Sequence, residues 1–177
     1  IVDVIDNGFQ GEGIAKINGV PVFIPNGVKG EKIKIKILKV TTSHAFGKIL
    51  EIVEKSENRI DSDCETYPKC GGCAMRHIKY EATLDMKKNA VEATLKKALG
   101  RYINVSDVIK MDNPYNYRNK LQYPVGINED GKAIMGVFAE RTHKIISTKK
   151  CNIQDKLSQQ IASSIYEFIL KNNVSVY

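Results

Sequence analysis

Lys32-Ile33-Lys34-Ile35-Lys36-Ile37 alternates charged and apolar residues at period two. A β-strand sends successive side chains to opposite faces, so the isoleucines share one side and the lysines the other. That is a half-buried strand, and its neighbours agree. Upstream, Ile17-Asn18-Gly19-Val20 places Asn-Gly between apolar runs. Both residues tolerate the positive φ of a type I′ hairpin turn. Pro25-Asn26-Gly27 marks a second turn, and Gly47-Lys48-Ile49-Leu50-Glu51-Ile52-Val53 supplies a last strand. Short strands this dense over residues 1–54 predict a small β barrel of OB type, whose closure removes exposed edges.

Lys55 to Asp63 is polar and aperiodic and reads as a boundary. Beyond it, Ile78 to Leu99 has helical periodicity, with Leu84, Val91, Leu95 and Ala98 on one face and Gly100 at the C-terminal stop. From about Tyr117 to Ile146 the pattern returns to strands: Leu121, Tyr123 and Val125 alternate, Asp130-Gly131 offers a turn, and Ile134 to Phe138 pairs back. Leu157, Ile161, Ile165, Phe168 and Ile169 mark a final amphipathic helix. The expectation is a barrel over 1–54 followed by an α+β domain over 55–177.

At 177 residues the chain suits one large domain or two small ones. No apolar stretch nears the roughly 18 residues of a membrane span. The opening Ile1-Val2-Asp3-Val4-Ile5 is strand-like and has neither an initiator Met nor a basic signal region. The close, Asn173-Val174-Ser175-Val176-Tyr177, stops in strand formers, so a piece of a longer polypeptide is expected. A cytoplasmic monomer is the matching expectation. The net charge of +7 suits a nucleic-acid partner, RNA or DNA, and an ordinary solvated surface would give the same total.

The chain holds four cysteines, three of them in Cys64-x5-Cys70-Gly71-Gly72-Cys73 and the last at Cys151. Disulfides would need an oxidising compartment, and a chain this long needs no staples. A redox dithiol at Cys70 and Cys73 leaves the other two without a role. A four-thiolate metal centre uses all of them, with glycines that let backbone amides face sulfur. Zinc and a 4Fe–4S cluster both accept four thiolates, and the three-plus-one distribution favours the cluster. His77 is a rival zinc ligand by position.

Three stretches resemble the S-adenosylmethionine-dependent RNA uracil-5-methyltransferases that carry a TRAM domain and an iron–sulfur cluster. Gly11-Glu12-Gly13-Ile14-Ala15 through Val22-Phe23-Ile24-Pro25 to Gly30-Glu31 is similar to the TRAM opening. The cysteine run continuing Ala74-Met75-Arg76-His77-Ile78-Lys79-Tyr80 resembles the family's cluster signature. Tyr117-Arg118-Asn119-Lys120, Gly136-Val137-Phe138-Ala139-Glu140-Arg141 and Cys151 resemble its central domain. Asp61-Ser62-Asp63 departs from the family, where a proline is common before the first cysteine. The resemblance implies a 4Fe–4S cluster on Cys64, Cys70, Cys73 and Cys151. It also implies a 23S rRNA substrate, since tRNA-directed relatives typically lack barrel and cluster. The family's reaction adds a cysteine thiolate to uracil C6, which makes C5 nucleophilic toward the methyl of S-adenosylmethionine; a glutamate then removes the C5 proton. Those groups belong to a Rossmann-like domain expected to be absent here. If all four cysteines ligate metal, none remains as nucleophile, so this portion is expected to recognise RNA without methylating it. A non-catalytic RNA-binding or redox-sensing protein with a four-cysteine site is the alternative.

For RNA contacts, Lys32, Lys34 and Lys36 form a cationic stripe, although lysine on an exposed strand also discourages edge pairing. His44 and Phe46 could stack on a base. Tyr117, Arg118, Asn119 and Lys120 combine a stacking surface, a planar fork, an amide and a cation. Arg141 and His143 could extend that surface.

Overall fold

The computed structural model describes residues 1–176. Two compact units form: Ile1–Ser62 with Ala74–Lys110, and Asp63–Cys73 with the chain from Met111 onward. No helix among the described residues is long and apolar enough to cross a membrane.

The first unit holds β1 (Val2–Asp3), β2 (Asp6–Asn7), β3 (Gly13–Ile17), β4 (Val20–Ile24), β5 (Lys32–Val40), β6 (Ala45–Glu54) and α1 (Tyr80–Leu99). Asn18 and Gly19 join β3 to β4 with φ of 50° and 82°, as a type I′ turn requires. The sheet runs β1-β5-β6-β4-β3-β2 and is antiparallel except between β4 and β6. The ladders make a six-stranded mixed sheet whose two outer strands, of two residues each, both come from the segment 2–7. Its buried face gathers Val4, Ala15, Val22, Ile24, Ile33 and Ala45.

The expected boundary near residue 54 is displaced. Residues 55–62 do not act as a linker: Arg59 pairs with Ile78 in an isolated bridge, Ile60 N–H donates to His77 O (3.0 Å), and Lys79 N–H donates to Asn58 O (2.9 Å). These bonds carry α1 into the unit that holds the six-stranded sheet. Their anchor is a buried ion pair. Glu31 accepts two bonds from the Arg59 guanidinium and one from Val28 N–H (2.9 Å), its side chain fully buried and that of Arg59 12% exposed. A desolvated carboxylate needs this many partners to offset its lost hydration.

Gly100 caps α1 with φ 68° and donates to Lys96 O (3.0 Å). The helix presents a different face from the one expected. Val91 is exposed, whereas Thr83 is buried, and Ala82, Met86, Ala90 and Ala93 line a groove of about 540 Å³ shared with Phe9 and Val28.

The second unit contains β7 (Val125–Ile127), β8 (Ala133–Phe138) and β9 (Ile145–Ser147) as an antiparallel sheet, followed by α2 (Lys156–Lys171). The run 117–124 is extended but forms no strand of this sheet. α2 starts on Asp155, whose side chain accepts from Ser158 N–H (2.9 Å), holding the carboxyl below the usual range. Tyr166 Oη donates to Ala133 O (2.7 Å), and Ala162 is the helix's buried residue. The apolar stripe Leu157, Ile161, Ile165 and Phe168 is exposed instead of core.

His77 is buried beside the ion pair, and desolvation together with the Arg59 charge lowers its pKa from 6.5 to about 4. The unfolded chain therefore takes up this proton first, so stability is full above about pH 6.5 and falls as pH descends toward 4. Thermal unfolding across that window is expected to show Tm dropping with pH in the native chain. A His77→Asn variant is expected to show a flatter profile.

Candidate functional site

The cysteine-bearing segment is tied down by backbone before any side chain is considered. Tyr67 N–H donates to Cys64 O (3.1 Å) and Cys70 N–H to Thr66 O (3.0 Å), coiling the loop into consecutive turns. Gly71 N–H then reaches Phe138 O (3.2 Å), Glu140 N–H reaches Lys69 O (3.3 Å), and Cys70 bridges Ala139. This pins the loop to the end of β8. A Cβ on Gly71 would lie 3.1 Å from Glu140 Cα, so the glycine permits the close approach.

Cys151 arrives from the other side. Its N–H donates to Gln159 Oε1 (2.7 Å), and Gln159 Nε2 returns bonds to Cys151 O and Gln154 O (both 2.9 Å). Asn152 Nδ2 donates to Asp63 O (3.2 Å), joining the two cysteine segments across 89 positions of sequence. Cys64, Cys70, Cys73 and Cys151 consequently line one cavity of about 890 Å³. All four are half-buried, and none is bridged to another in a disulfide. Gly72 N–H points at Cys70 Sγ (3.3 Å).

Two groups that the sequence reading passed over complete the wall. The Tyr123 hydroxyl is buried without a hydrogen-bond partner, and burial, with Cys151 and Cys70 nearby, pushes its pKa up to about 12. Gln154 Oε1 is likewise buried and unpartnered. Alternation with Leu121 marked Tyr123 as inward-facing, but it was assigned to a sheet, and nothing in sequence singled out Gln154.

Among the described residues, no group of three or more His, Cys, Asp or Glu is drawn together tightly enough for one metal ion. A tetrahedral zinc site would set the sulfurs about 2.3 Å from a common ion. A four-iron cluster would place each thiolate on a different iron. His77 is no zinc ligand, being packed beside Arg59 and Glu31.

The expected RNA contacts separate into groups. Arg118 and Lys120 line the cysteine cavity, whereas Tyr117 and Asn119, exposed on the same extended run, do not. The run is held by Arg118 N–H to Ile153 O (2.8 Å) and Asp155 N–H to Arg118 O (3.0 Å). The Arg118 guanidinium lies beside Gly72, with Nη1 4.0 Å from where a Cβ would stand. Arg141 lines the same cavity and pairs loosely with Glu140 (3.3 Å). His143 packs edge-on against Phe138 and lines a different, smaller pocket. In the first unit, Lys32 pairs with Glu54 (3.2 Å), Lys34 stands opposite Glu51, and Lys36 stands opposite Lys48.

Residues 2–50 match the TRAM domain model. The whole chain aligns with bacterial RNA methyltransferases: 42% identity over 170 residues with one from Clostridium tetani, and 43% over 176 with one from Clostridium acetobutylicum. Over nearly its whole length the chain is similar to part of these RNA methyltransferases, and its residues 2–50 carry the TRAM match. A Staphylococcus aureus member is 41% identical over 175 residues. These alignments take in 96–98% of the chain but only 37–39% of each relative, so the chain spans about two fifths of their length. Among solved structures, the tRNA (uracil-54, C5)-methyltransferase of Pyrococcus abyssi, in complex with S-adenosyl-L-homocysteine, superposes with a TM-score of 0.64 at 22% identity. The superposition covers 99% of this chain and 38% of that one, and it establishes a common fold.

Tyr123 offers a direct test of the cavity wall. An unpartnered buried hydroxyl costs desolvation and returns no bond, so Tyr123→Phe is expected to stabilise the metal-free chain by about 1 kcal/mol. Urea unfolding with unchanged m-value measures it; destabilisation would reveal a hydrogen bond to that oxygen.

Proposed function

We propose that this chain is the RNA-recognition portion of an S-adenosylmethionine-dependent RNA (uracil-5-)-methyltransferase, with Cys64, Cys70, Cys73 and Cys151 holding a 4Fe–4S cluster. The observation that carries the reading is one cavity lined by all four thiols and, on the same wall, by Arg118 and Lys120. Several donors suit thiolate ligands there. Gly72 N–H already faces Cys70 Sγ, and the buried Tyr123 O–H, set close to Cys70 and Cys151, has a proton to give. Arg118 and Lys120 place positive charge beside the negative charge that four thiolates bring.

In this reading the cluster would be a structural clamp: with every iron held by protein, no coordination position would be open to a substrate. The chain's own residues orient RNA. Arg118 offers a planar fork to a phosphate or base edge, Lys120 a point charge, and Tyr117 an exposed ring for stacking. With Cys64, Cys70, Cys73 and Cys151 all serving as ligands, this reading leaves none of them to act as the nucleophile. Reaction at a ring carbon requires the target uridine to leave its stack. The proposed substrate is 23S rRNA, on the strength of the cysteine signature, and the protein acts as a cytoplasmic monomer. A tRNA substrate is the second reading, favoured by the shared fold with a tRNA enzyme.

Anaerobic reconstitution with iron and sulfide tests both parts at once. A brown chromophore with about four irons per chain is expected, lost when any of the four cysteines becomes Ser. Arg118→Ala is expected to keep the chromophore and weaken RNA binding roughly tenfold in a filter assay, the scale of one lost charge-assisted contact. Zinc uptake without iron would overturn the cluster, and unchanged RNA affinity would remove Arg118 from the interface. Methyl transfer by a relative-length enzyme to 23S rRNA but not to tRNA transcripts distinguishes the two substrates.

A further inference from the structure

Among the described residues, the wall of the cysteine cavity holds a donor without an acceptor and a sulfur without a donor. Cys64 Sγ has the Thr66 hydroxyl at 3.4 Å, and Cys70 Sγ has Gly72 N–H at 3.3 Å. Cys151 has its backbone clamped by Gln159, but no described residue donates to its sulfur. The Tyr123 hydroxyl lines the same cavity, buried and without a hydrogen-bond partner, with Cys151 and Cys70 close by.

Other polar groups of the wall are committed. Thr142 and Thr148 donate their hydroxyls to Ala139 O and Ile146 O, at 3.2 and 3.1 Å. Behind the wall, both ends of the Gln159 amide are engaged. Two acceptors remain for Tyr123, the Cys151 sulfur and the buried Gln154 Oε1. A bond to Gln154 would need no metal, yet the two groups stand in one cavity without bonding each other. A bond to sulfur depends on loading. Ligation turns the thiol into a thiolate, and a hydrogen bond to an ionised acceptor is about twice as strong as one between neutral groups.

We propose that Tyr123 is a positioning residue whose O–H donates to the Cys151 thiolate once the four-cysteine site is filled. It steadies the one ligand that comes from outside the Cys64–Cys73 loop. The hydroxyl proton turns about the Cζ–Oη bond, so the backbone can stay where it is. The inference rests on the cluster reading above and gives it a consequence. A donor's positive end beside sulfur favours the more electron-rich state of the centre, so Tyr123 raises its reduction potential.

The 177-residue chain and its Tyr123→Phe variant, both reconstituted anaerobically with iron and sulfide, supply the test. A potentiometric titration followed by electron paramagnetic resonance gives the midpoint, and a chelator challenge gives iron retention. Tyr123→Phe should load iron to the same extent. Its reduction equilibrium should shift about 3- to 10-fold toward the oxidised state, a midpoint about 28 to 59 mV lower for one electron. It should hold iron about tenfold less tightly. The metal-free variant should move the other way and resist urea better than the native chain, which loss of packing alone would not produce. Tyr166→Phe is the control: its hydroxyl donates to Ala133 O, outside the cavity, and its loss should leave the midpoint unchanged. A loaded Tyr123→Phe with native midpoint and native retention would overturn the inference and leave the cluster standing. So would an equal shift from Tyr166→Phe, or a metal-free Tyr123→Phe less stable than the native chain, which would put the bond on Gln154. Uptake of zinc without iron would sink the cluster reading, and this inference with it.

Discussion

The Glu31 carboxylate, buried and held by both arms of the Arg59 guanidinium, is the constraint on which the first unit depends. It connects elements that the hydrophobic core does not. Glu31 lies at the entrance to β5 and accepts from the Val28 turn, and Arg59 donates onward to Asn26 O. From Arg59 the chain runs by backbone bonds to His77, Ile78 and the start of α1. Removing one partner would strand a charge in a dry site, at a cost of about 3–5 kcal/mol for pairs of this kind. Burial keeps the neighbouring imidazole neutral, and the guanidinium charge adds to it while the Glu31 carboxylate works against it.

What the sequence made legible follows from how local each signal was. Period-two alternation and Asn18-Gly19 are written within a few residues, and the strands, hairpin and turn stand where those patterns lie. The unit boundary was illegible for a physical reason. Residues 55–63 are polar, which ordinarily marks a linker, but the polarity of Arg59 serves a buried partner 28 positions earlier. The lysine stripe was legible as alternation and illegible as chemistry. Three register shifts along β5 and β6 decide whether each lysine meets a carboxylate, a lysine or a phenylalanine. Both helices show their periodicity in sequence, yet neither buries the face that periodicity singles out, because hydropathy marks an apolar stripe without saying what covers it.

The candidate site shows a similar division. The cysteine spacing pointed to a shared centre, and the fold brings all four thiols to one cavity through a hydrogen bond from Asn152 and a glutamine clamp on Cys151. The wall around them, Tyr123 and Gln154, came from residue types that carry no metal-ligand signature. Tyr117 to Lys120 reads as one motif in sequence. The fold divides it: Arg118 and Lys120 line the cavity, and Tyr117 and Asn119 do not.

The N-terminal segment occupies both outer positions of the first sheet: Val2 and Asp3 pair with the start of β5, and Asp6 and Asn7 pair with β3. A single short stretch thus blocks two edges that would otherwise invite another chain to add a strand, while Lys34, Lys36 and Lys39 guard the uncovered remainder of β5. Proteolytic trimming of seven residues would therefore do more than shorten the protein. It would open two sticky borders at once, and self-association would follow from a cut that leaves all four thiols untouched.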